Sequence, residues 1–192
     1  MLSIATCWMM PMTETLPIVT LLAALLLAAP AGLNPYLPLL MAAALARFSS
    51  FYHPAGPLEF IGATWFLVLA GALFLANTFL DKRFRPGDSL AVPPAQRTPS
   101  LWVGAGHDLG QMLLGPAAGA LLAGATSRFF PQSWILVAPM LGALAAAVVY
   151  VGKRALRRRL AGRWGILSNI LLSVLEDIVV VFACLAGFLF LR

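Results

Sequence analysis

The sequence contains little charge and little cysteine. Charged residues make up only 10% of its 192 positions, against about a quarter in a typical globular domain. Two cysteines, Cys7 and Cys184, fit neither a disulfide framework nor a metal-ligand spacing. No HExxH, GxSxG, phosphate-loop or dinucleotide motif occurs. We therefore expect a protein that is not an enzyme, with no catalytic residue and no cofactor, and the sequence leaves any metal undetermined.

What the sequence has in excess is apolar residues, which make up 61% of the chain. A helix needs roughly 20 apolar residues to cross the hydrocarbon core of a bilayer. We predict an all-α polytopic membrane protein with residues 17–192 in a single membrane domain, and expect the N-terminal segment 1–16 to fray. That segment lacks the basic start of a signal peptide. The predicted transmembrane segments, about five, are 17–47, 58–80, 101–127, 132–151 and 165–191.

Proline interrupts two of these segments. Pro30, Pro35 and Pro38 each remove a backbone donor and crowd the preceding turn, so the first segment should be a broken helix. Gly115 and Pro116 should break the third in a similar way. Unpaired backbone groups at membrane depth must be covered by protein or face a water-filled cavity. Both breaks therefore predict sites inside the bundle.

The basic residues predict an orientation. Ten of them lie in two connections, Asp81–Ser100 and Gly152–Arg163, and three lie elsewhere, at Arg47, Arg128 and Arg192. Because cytoplasmic loops carry the excess of Lys and Arg, we place both connections in the cytoplasm. If segment 17–47 crosses once, the N-terminus is inside and the C-terminus outside. We expect an integral protein of a bacterial cytoplasmic membrane.

An internal repeat fits this layout. The series from Pro35 to Phe48 recurs 81 positions later, from Pro116 to Phe129, and each copy is followed by a tryptophan-containing helix that ends in Lys-Arg. The alternative is coincidence in an alanine- and leucine-rich sequence. We predict two parallel repeats of a broken helix plus a return helix, 17–83 and 101–154, and a C-terminal helix, 165–191; parallel repeats of this kind occur in transporters.

Four short stretches also carry a family resemblance: AGLNPYLPLL, the DK and PGDSL of the first basic connection, the D-x7-PAAGALL series from Asp108, and SNILLSVLED. Together they resemble the bacterial integral-membrane family catalogued as domain of unknown function 4126, over most of the chain after about residue 17. The family favours a histidine and an arginine where this sequence has Gln111 and Gly115. The resemblance implies a fold and no established activity.

The C-terminal segment carries two adjacent acids, Glu176 and Asp177, within an apolar run. At 100° per residue, Asn169, Ser173 and Glu176 fall on one helical stripe about 60° wide, with Asp177 at its border. A carboxylate within the membrane should face the bundle interior and have partners or a proton. The acids are either helix-packing glue or an ion-responsive site.

Other polar residues are candidates for the same site. Asp108 and Asn34 join the site in our prediction, the latter from the broken segment. Asn77, Asp81 and His107 are supporting candidates, although Asp81 could simply end a helix and His107–Asp108 could mark an interface.

We expect a small membrane carrier, or a lipid or solute translocator, with a buried acidic site that responds to protons or cations. The alternative is a non-catalytic structural or assembly protein in which these acids pack helices. The expected partners are the lipid bilayer and an unknown small solute, ion or lipid, with a homodimer favoured by small-residue helix faces and no nucleic acid.

Overall fold

The part of the chain that the structure describes is predominantly helical. The computed structural model describes residues 15–54, 56–83, 99–126, 130 and 134–192, with side chains given outside 15–17, 80–83, 99–105 and 160–170. No strand occurs in these ranges. The helices are α1 (Thr15–Ala28), α2 (Tyr36–Phe48), α3 (Thr64–Arg83), α4 (Pro99–Ala125) and α5 (Val137–Phe190), with 3₁₀ turns at Ala29–Gly32 and Gly56–Gly62.

The predicted break in the first apolar segment is present. Helix α1 ends at Ala28, the 3₁₀ turn Ala29–Gly32 follows, and α2 begins at Tyr36. The amide of Asn34 donates to the Pro30 carbonyl over 3.1 Å. The Asn34 side-chain oxygen then accepts from the amides of Tyr36 and Leu37, at 3.2 and 3.4 Å. Asn34 thus supplies acceptors to amides that the first turn of a helix leaves without a helical partner.

The broken segment forms a hairpin that turns back at its tip. Near its own end, α1 packs on the end of α5, where a Cβ on Gly187 would lie 2.9 Å from Leu27. At the tip, Asn34 binds Asp177. After α2 the chain is again at the end of α5, since the rings of Tyr52 and Phe188 lie 5.0 Å apart. These contacts describe a hairpin, whereas the single crossing of residues 17–47 and the N-in, C-out orientation that depends on it stay predictions.

Helix α4 runs without interruption through Pro116, so the predicted break there is wrong. One proline removes a single helical hydrogen bond, and neighbouring helices can support the backbone around it. Gly115, just before it, packs close to the hairpin: a Cβ there would lie 3.3 Å from the Ala31 carbonyl oxygen. In the first segment three prolines act together with Asn34, whereas the interior of α4 has only Pro116.

The predicted loop Gly152–Arg163 is also helical, and α5 extends over 54 residues. Arg, Leu, Ala and Lys, which dominate this stretch, are good helix formers. Yet α5 is not straight, because Arg157 binds Glu176, 19 positions further on. A straight helix would separate them by about 28 Å. The helix therefore bends sharply between these two residues, and the chain reverses as the sequence predicted.

Two stretches of α5 are long and apolar enough to cross a membrane. They are Val137–Arg159 and Leu171–Phe190, called here the first and second limbs of α5. A third crossing results if the turn Gly56–Gly62 and Thr64–Phe79, which meet at 64°, form one span. These helices indicate a membrane protein. The structure describes two or three candidate spans, while five remain a prediction.

Small residues bring the helices into close contact. Helix α4 and the first limb meet at Gly119 and Gly142, where a Cβ on Gly119 would lie 2.7 Å from the Ala146 Cβ. Gly32 of the hairpin packs against Ala146 and Tyr150 on the same face of that limb. Such small-residue contacts let membrane helices approach closely. The hairpin tip is thereby fixed against the first limb.

The predicted repeat is only partly visible. Because α4 is continuous, the second predicted repeat has no hairpin like that of the first. The tryptophan of each predicted return helix does stack on a phenylalanine, Trp65 on Phe60 and Trp134 on Phe130, with ring centroids 6.1 Å apart in both pairs.

Several predictions concern positions outside the described residues or side chains. They are the segment 1–14 with Cys7, the arginines Arg85, Arg97 and Arg128, and the side chains of Asp81 and Asn169.

Candidate functional site

Polar side chains from four parts of the fold converge at the hairpin tip, and Lys153 lies at their centre. Its ammonium donates to the Leu33 carbonyl of the tip, to Gln111 Oε1 of α4 at 3.3 Å, and pairs with Glu176 Oε2 at 3.2 Å. An ammonium group has three donors, so these three acceptors match its capacity. Lys153 therefore links the hairpin, α4 and both limbs of α5.

Glu176 binds a second cation. Arg157 Nε donates to Glu176 Oε1 over 2.9 Å and its Nη2 donates to Oε2, which makes the pair bidentate. The side chains are 3% (Lys153), 6% (Arg157) and 13% (Glu176) exposed. Charged side chains buried to this degree need partners, since removal from water costs several kcal/mol per ion. The carboxylate thus compensates two cations of the first limb.

Asp177 contacts the tip of the hairpin. Asn34 Nδ2 donates to Asp177 Oδ1 over 2.9 Å. Because Asn34 Oδ1 also caps α2, this single amide joins the start of α2 to the second limb. Asp177 lies 13 positions before the end of α5 at Phe190, or about 20 Å along the helix. The tip therefore lies well inside the thickness of a bilayer core of about 30 Å.

Gln111 extends the network across α4 to α3. Its Nε2 donates to Asn77 Oδ1 over 2.9 Å and lies 3.2 Å from His107 Nε2. Asn77 is buried, and among the described residues its Nδ2 has no hydrogen-bond partner. The network thus runs from α3 through α4 to both limbs of α5.

The structure brings together several predicted site residues. Glu176, Asp177, Asn34, Asn77 and His107 all belong to the network described above. Ser173 is buried one turn before Asp177. Asp108 is buried on α4, and its backbone carbonyl accepts from the Tyr150 hydroxyl at 3.3 Å. The site roles of all these residues stay predictions.

Sequence reasoning missed the two cations. Lys153 and Arg157 were assigned to a cytoplasmic loop by the excess of basic residues, although they continue a helical face at i and i+4. Gly142 and Ala146 precede them on that face, and both pack inward. Extending the 100° periodicity through the basic stretch would have identified them. Gln111 was noted only as a departure from the family pattern.

The chemistry of the network is ionic and hydrogen-bonding. Among the residues that the structure describes, no group of three His, Cys, Asp or Glu side chains is placed to hold a metal ion. Lys153 and Arg157 oppose Glu176, and amide side chains extend from both ends of this cluster. A change of charge at Glu176 would act on the first limb directly and on the hairpin tip through Lys153.

Comparison with known proteins gives a family and no relative of established activity. The sequence profile described as "Domain of unknown function (DUF4126)" matches residues 21–87 and 98–190. The chain belongs to this family. No curated protein matches, and neither does any solved structure. The match includes the hairpin from residue 21, Lys153, Arg157 and both acids, so the candidate site lies within the matched residues.

Proposed function

We propose that this DUF4126 protein is a small membrane carrier, or a lipid or solute translocator, and that the hairpin tip with its ionic network is the translocation site. One observation carries the proposal: Lys153 binds the non-helical backbone carbonyl of Leu33 and the largely buried carboxylate of Glu176 at the same time. Non-helical backbone at membrane depth is tolerated where protein covers it or it lines a cavity. Broken helices that meet charged groups near mid-membrane are typical of transporters.

The network suggests how the site responds to ions. While Glu176 is ionised, it holds Arg157 and Lys153, and Lys153 holds Leu33. A proton on this carboxylate, or an incoming cation beside it, would weaken the contact that the buried Lys153 ammonium and the buried Arg157 guanidinium share. That state is costly, so the limbs or the hairpin should rearrange to hydrate them. Asp177, Asp108 and His107 are the other titratable groups near the tip.

The runner-up is a structural or assembly protein. The observation that favours it is that Glu176 makes contacts with two cations, which also suits a purely structural tie between the limbs. The two functions differ in one respect. A structural tie tolerates replacement by neutral groups of similar shape, whereas a translocation site depends on the charges themselves.

The experiment uses purified protein in proteoliposomes. Three readouts cover the proposed substrates: trapped pyranine for protons, labelled alkali cations for small ions, and dithionite quenching of fluorescent phospholipids for lipids. A pH-dependent flux by the wild type that the charge-neutral pair Arg157→Met/Glu176→Gln lacks, while it still inserts and folds, supports the carrier. If the wild type shows no flux in any of the three assays, or if the double variant shows unchanged flux, the result supports the structural function instead.

Membrane orientation and assembly belong to the same proposal. We infer that the bend of α5 faces the cytoplasm of a bacterial inner membrane, because the basic residues concentrate near it. With a hairpin that turns back, the start of α1 and the end of α5 then lie on the opposite side. A homodimer through small-residue faces remains part of this proposal, as does an evolutionary repeat that relates the hairpin to α4.

A further inference from the structure

The first limb of α5 carries arginines on a lateral face as well as cations on its inner face. Lys153 and Arg157 bind Glu176 inside the bundle. Arg154 and Arg158 each lie one position further along the chain, so the rotation of 100° per residue places both on a neighbouring face. Arg158 is exposed and Arg154 is half-buried. This outer pair of arginines is therefore accessible from outside the bundle.

The outer pair gathers at one edge of the limb. Among the residues that the structure describes, neither guanidinium group forms a salt bridge or a hydrogen bond. Both positive charges act on the same group, the Tyr150 hydroxyl, and so does the negative charge of Asp108. That hydroxyl donates to the Asp108 backbone carbonyl, which holds Tyr150 against α4. Two positive charges and one negative charge thus meet at this edge, which leaves it positive.

An apolar strip continues the face of the outer pair. Met140, Leu144 and Val151 are 72%, 60% and 64% exposed. At 100° per residue, these three side chains and the two outer arginines fall within a stripe about 80° wide. The same face of the limb is therefore apolar over most of its length and cationic at its end.

The outer pair also lies at the depth of lipid headgroups. The membrane-crossing stretch of the first limb, Val137–Arg159, has 23 residues. Such a helix extends about 35 Å, slightly more than a hydrocarbon core of about 30 Å. Arg154 and Arg158 lie near its end, so their long side chains can carry the guanidinium groups into the headgroup region.

We propose that this face binds an anionic phospholipid from the leaflet at the bend of α5. The phosphate lies between the guanidinium groups of Arg154 and Arg158, which are one helical turn apart and whose forked donors match phosphate oxygens. An acyl chain lies along Val151, Leu144 and Met140. Basic sites between membrane helices are suited to anionic headgroups. The inference goes beyond the proposed function and does not depend on it.

The composition of this face distinguishes a lipid from other anions. A soluble phosphate or an acidic protein segment would use the two arginines and leave the apolar strip without a role. A zwitterionic phospholipid would bring a cationic group of its own next to the pair, so it should bind more weakly. A general attraction of basic residues for anionic lipid would act equally at Arg159. Because Arg159 is exposed, adjacent in sequence and turned by 100° from Arg158, it provides a matched control.

The test is native mass spectrometry of the full-length protein in detergent, titrated with phosphatidylglycerol and with phosphatidylcholine of the same chains. We expect the first phosphatidylglycerol to bind about ten-fold more tightly than phosphatidylcholine. Arg158→Gln should weaken phosphatidylglycerol binding about five-fold and Arg154→Gln/Arg158→Gln more than about ten-fold, because each basic side chain near a membrane surface contributes a factor of about five. Arg159→Gln should stay within about two-fold of the wild type, since it lies off the face. Glycerol 3-phosphate should not displace the lipid.

Three results would overturn the inference. They are equal affinity of the wild type for the two lipids, equal loss in Arg158→Gln and Arg159→Gln, and displacement by glycerol 3-phosphate as effective as by phosphatidylglycerol. The last result is what a site for a soluble anion or an acidic protein segment would give. Melting temperatures in detergent check that the variants fold. If the double variant does not fold, the comparison of Arg158→Gln with Arg159→Gln and the glycerol 3-phosphate competition still decide.

Discussion

Lys153 donates a hydrogen bond to the carbonyl of Leu33, a residue 120 positions earlier in the chain. Leu33 lies where the hairpin leaves its 3₁₀ turn, so its carbonyl is not part of a helical ladder. The first limb of α5 thus supplies a charged donor to the one region of the hairpin where proline prevents regular helix formation. The same ammonium carries this link on to Glu176, on the second limb.

The ion pair should show strong coupling in a double-mutant cycle. Glu176→Gln removes the carboxylate that both buried cations bind and should lower the free energy of unfolding by about 3–5 kcal/mol. Arg157→Met should cost less, because Lys153 still neutralises Glu176. The double variant should be more stable than additivity predicts by about 1–3 kcal/mol. Reversible unfolding in mixed micelles measures all three, and additive effects would show that the pair is not formed.

Removing the Lys153 ammonium should loosen the hairpin tip. In Lys153→Met the Leu33 carbonyl loses its charged donor, and a buried carbonyl without a partner costs about 1–3 kcal/mol. We expect faster hydrogen–deuterium exchange over Ala29–Leu37, with partial recovery in Lys153→Arg. Arg154→Met is the matched control, since it removes the neighbouring cation and leaves the Leu33 contact in place. Unchanged exchange in Lys153→Met would contradict the link.

The sequence predicted the parts of this site that depend on local chemistry. Three prolines were enough to predict a break within the first segment. The stripe through Ser173 and Glu176 was enough to predict an inward acidic face. Lys153 and Arg157 were missed because an excess of basic residues is ordinarily a property of loops, and only the packing of the first limb against the hairpin turns these two inward. The break predicted at Pro116 was wrong, because a sequence does not show the neighbouring helices that support the backbone around a proline.

The contact between α4 and the first limb should depend on glycine. A Cβ at Gly142 would overlap the Ala123 side chain and the Gly119 backbone. Gly142→Ala should therefore lower the free energy of unfolding by about 1–3 kcal/mol, as overpacking does. Gly152→Ala is the control on the same helix, because nothing lies within 4 Å of a Cβ there and alanine favours helix. Thermal unfolding in detergent compares them, and equal melting temperatures would contradict the close crossing.

The hairpin also predicts a topology. Its two ends, Thr15 and Ser50, should react with a membrane-impermeant thiol reagent from the same side when each is replaced by cysteine in a background without Cys7 and Cys184. A cysteine at Arg159, at the other end of the first limb, should react from the opposite side. If Thr15 and Ser50 label from opposite sides, the segment crosses once and the hairpin is wrong. The assay also decides which side is cytoplasmic.

Asn34 has two roles that substitution can separate. Its Oδ1 caps α2, and its Nδ2 holds Asp177. Asn34→Ala removes both and should cost about 2 kcal/mol, of which the cap accounts for about 1. Asn34→Ser keeps a capping oxygen but is too short to donate to Asp177, so it should recover only the cap.

Asn34→Asp also keeps the cap, yet it places a second carboxylate against Asp177. At neutral pH this variant should be less stable than Asn34→Ser, because like charges at this depth repel, and lowering the pH should reduce the difference by protonating one of the two acids. Stability measured from pH 5 to 8 checks this order, and an Asn34→Asp variant as stable as wild type at every pH would show that the Asn34–Asp177 contact does not form.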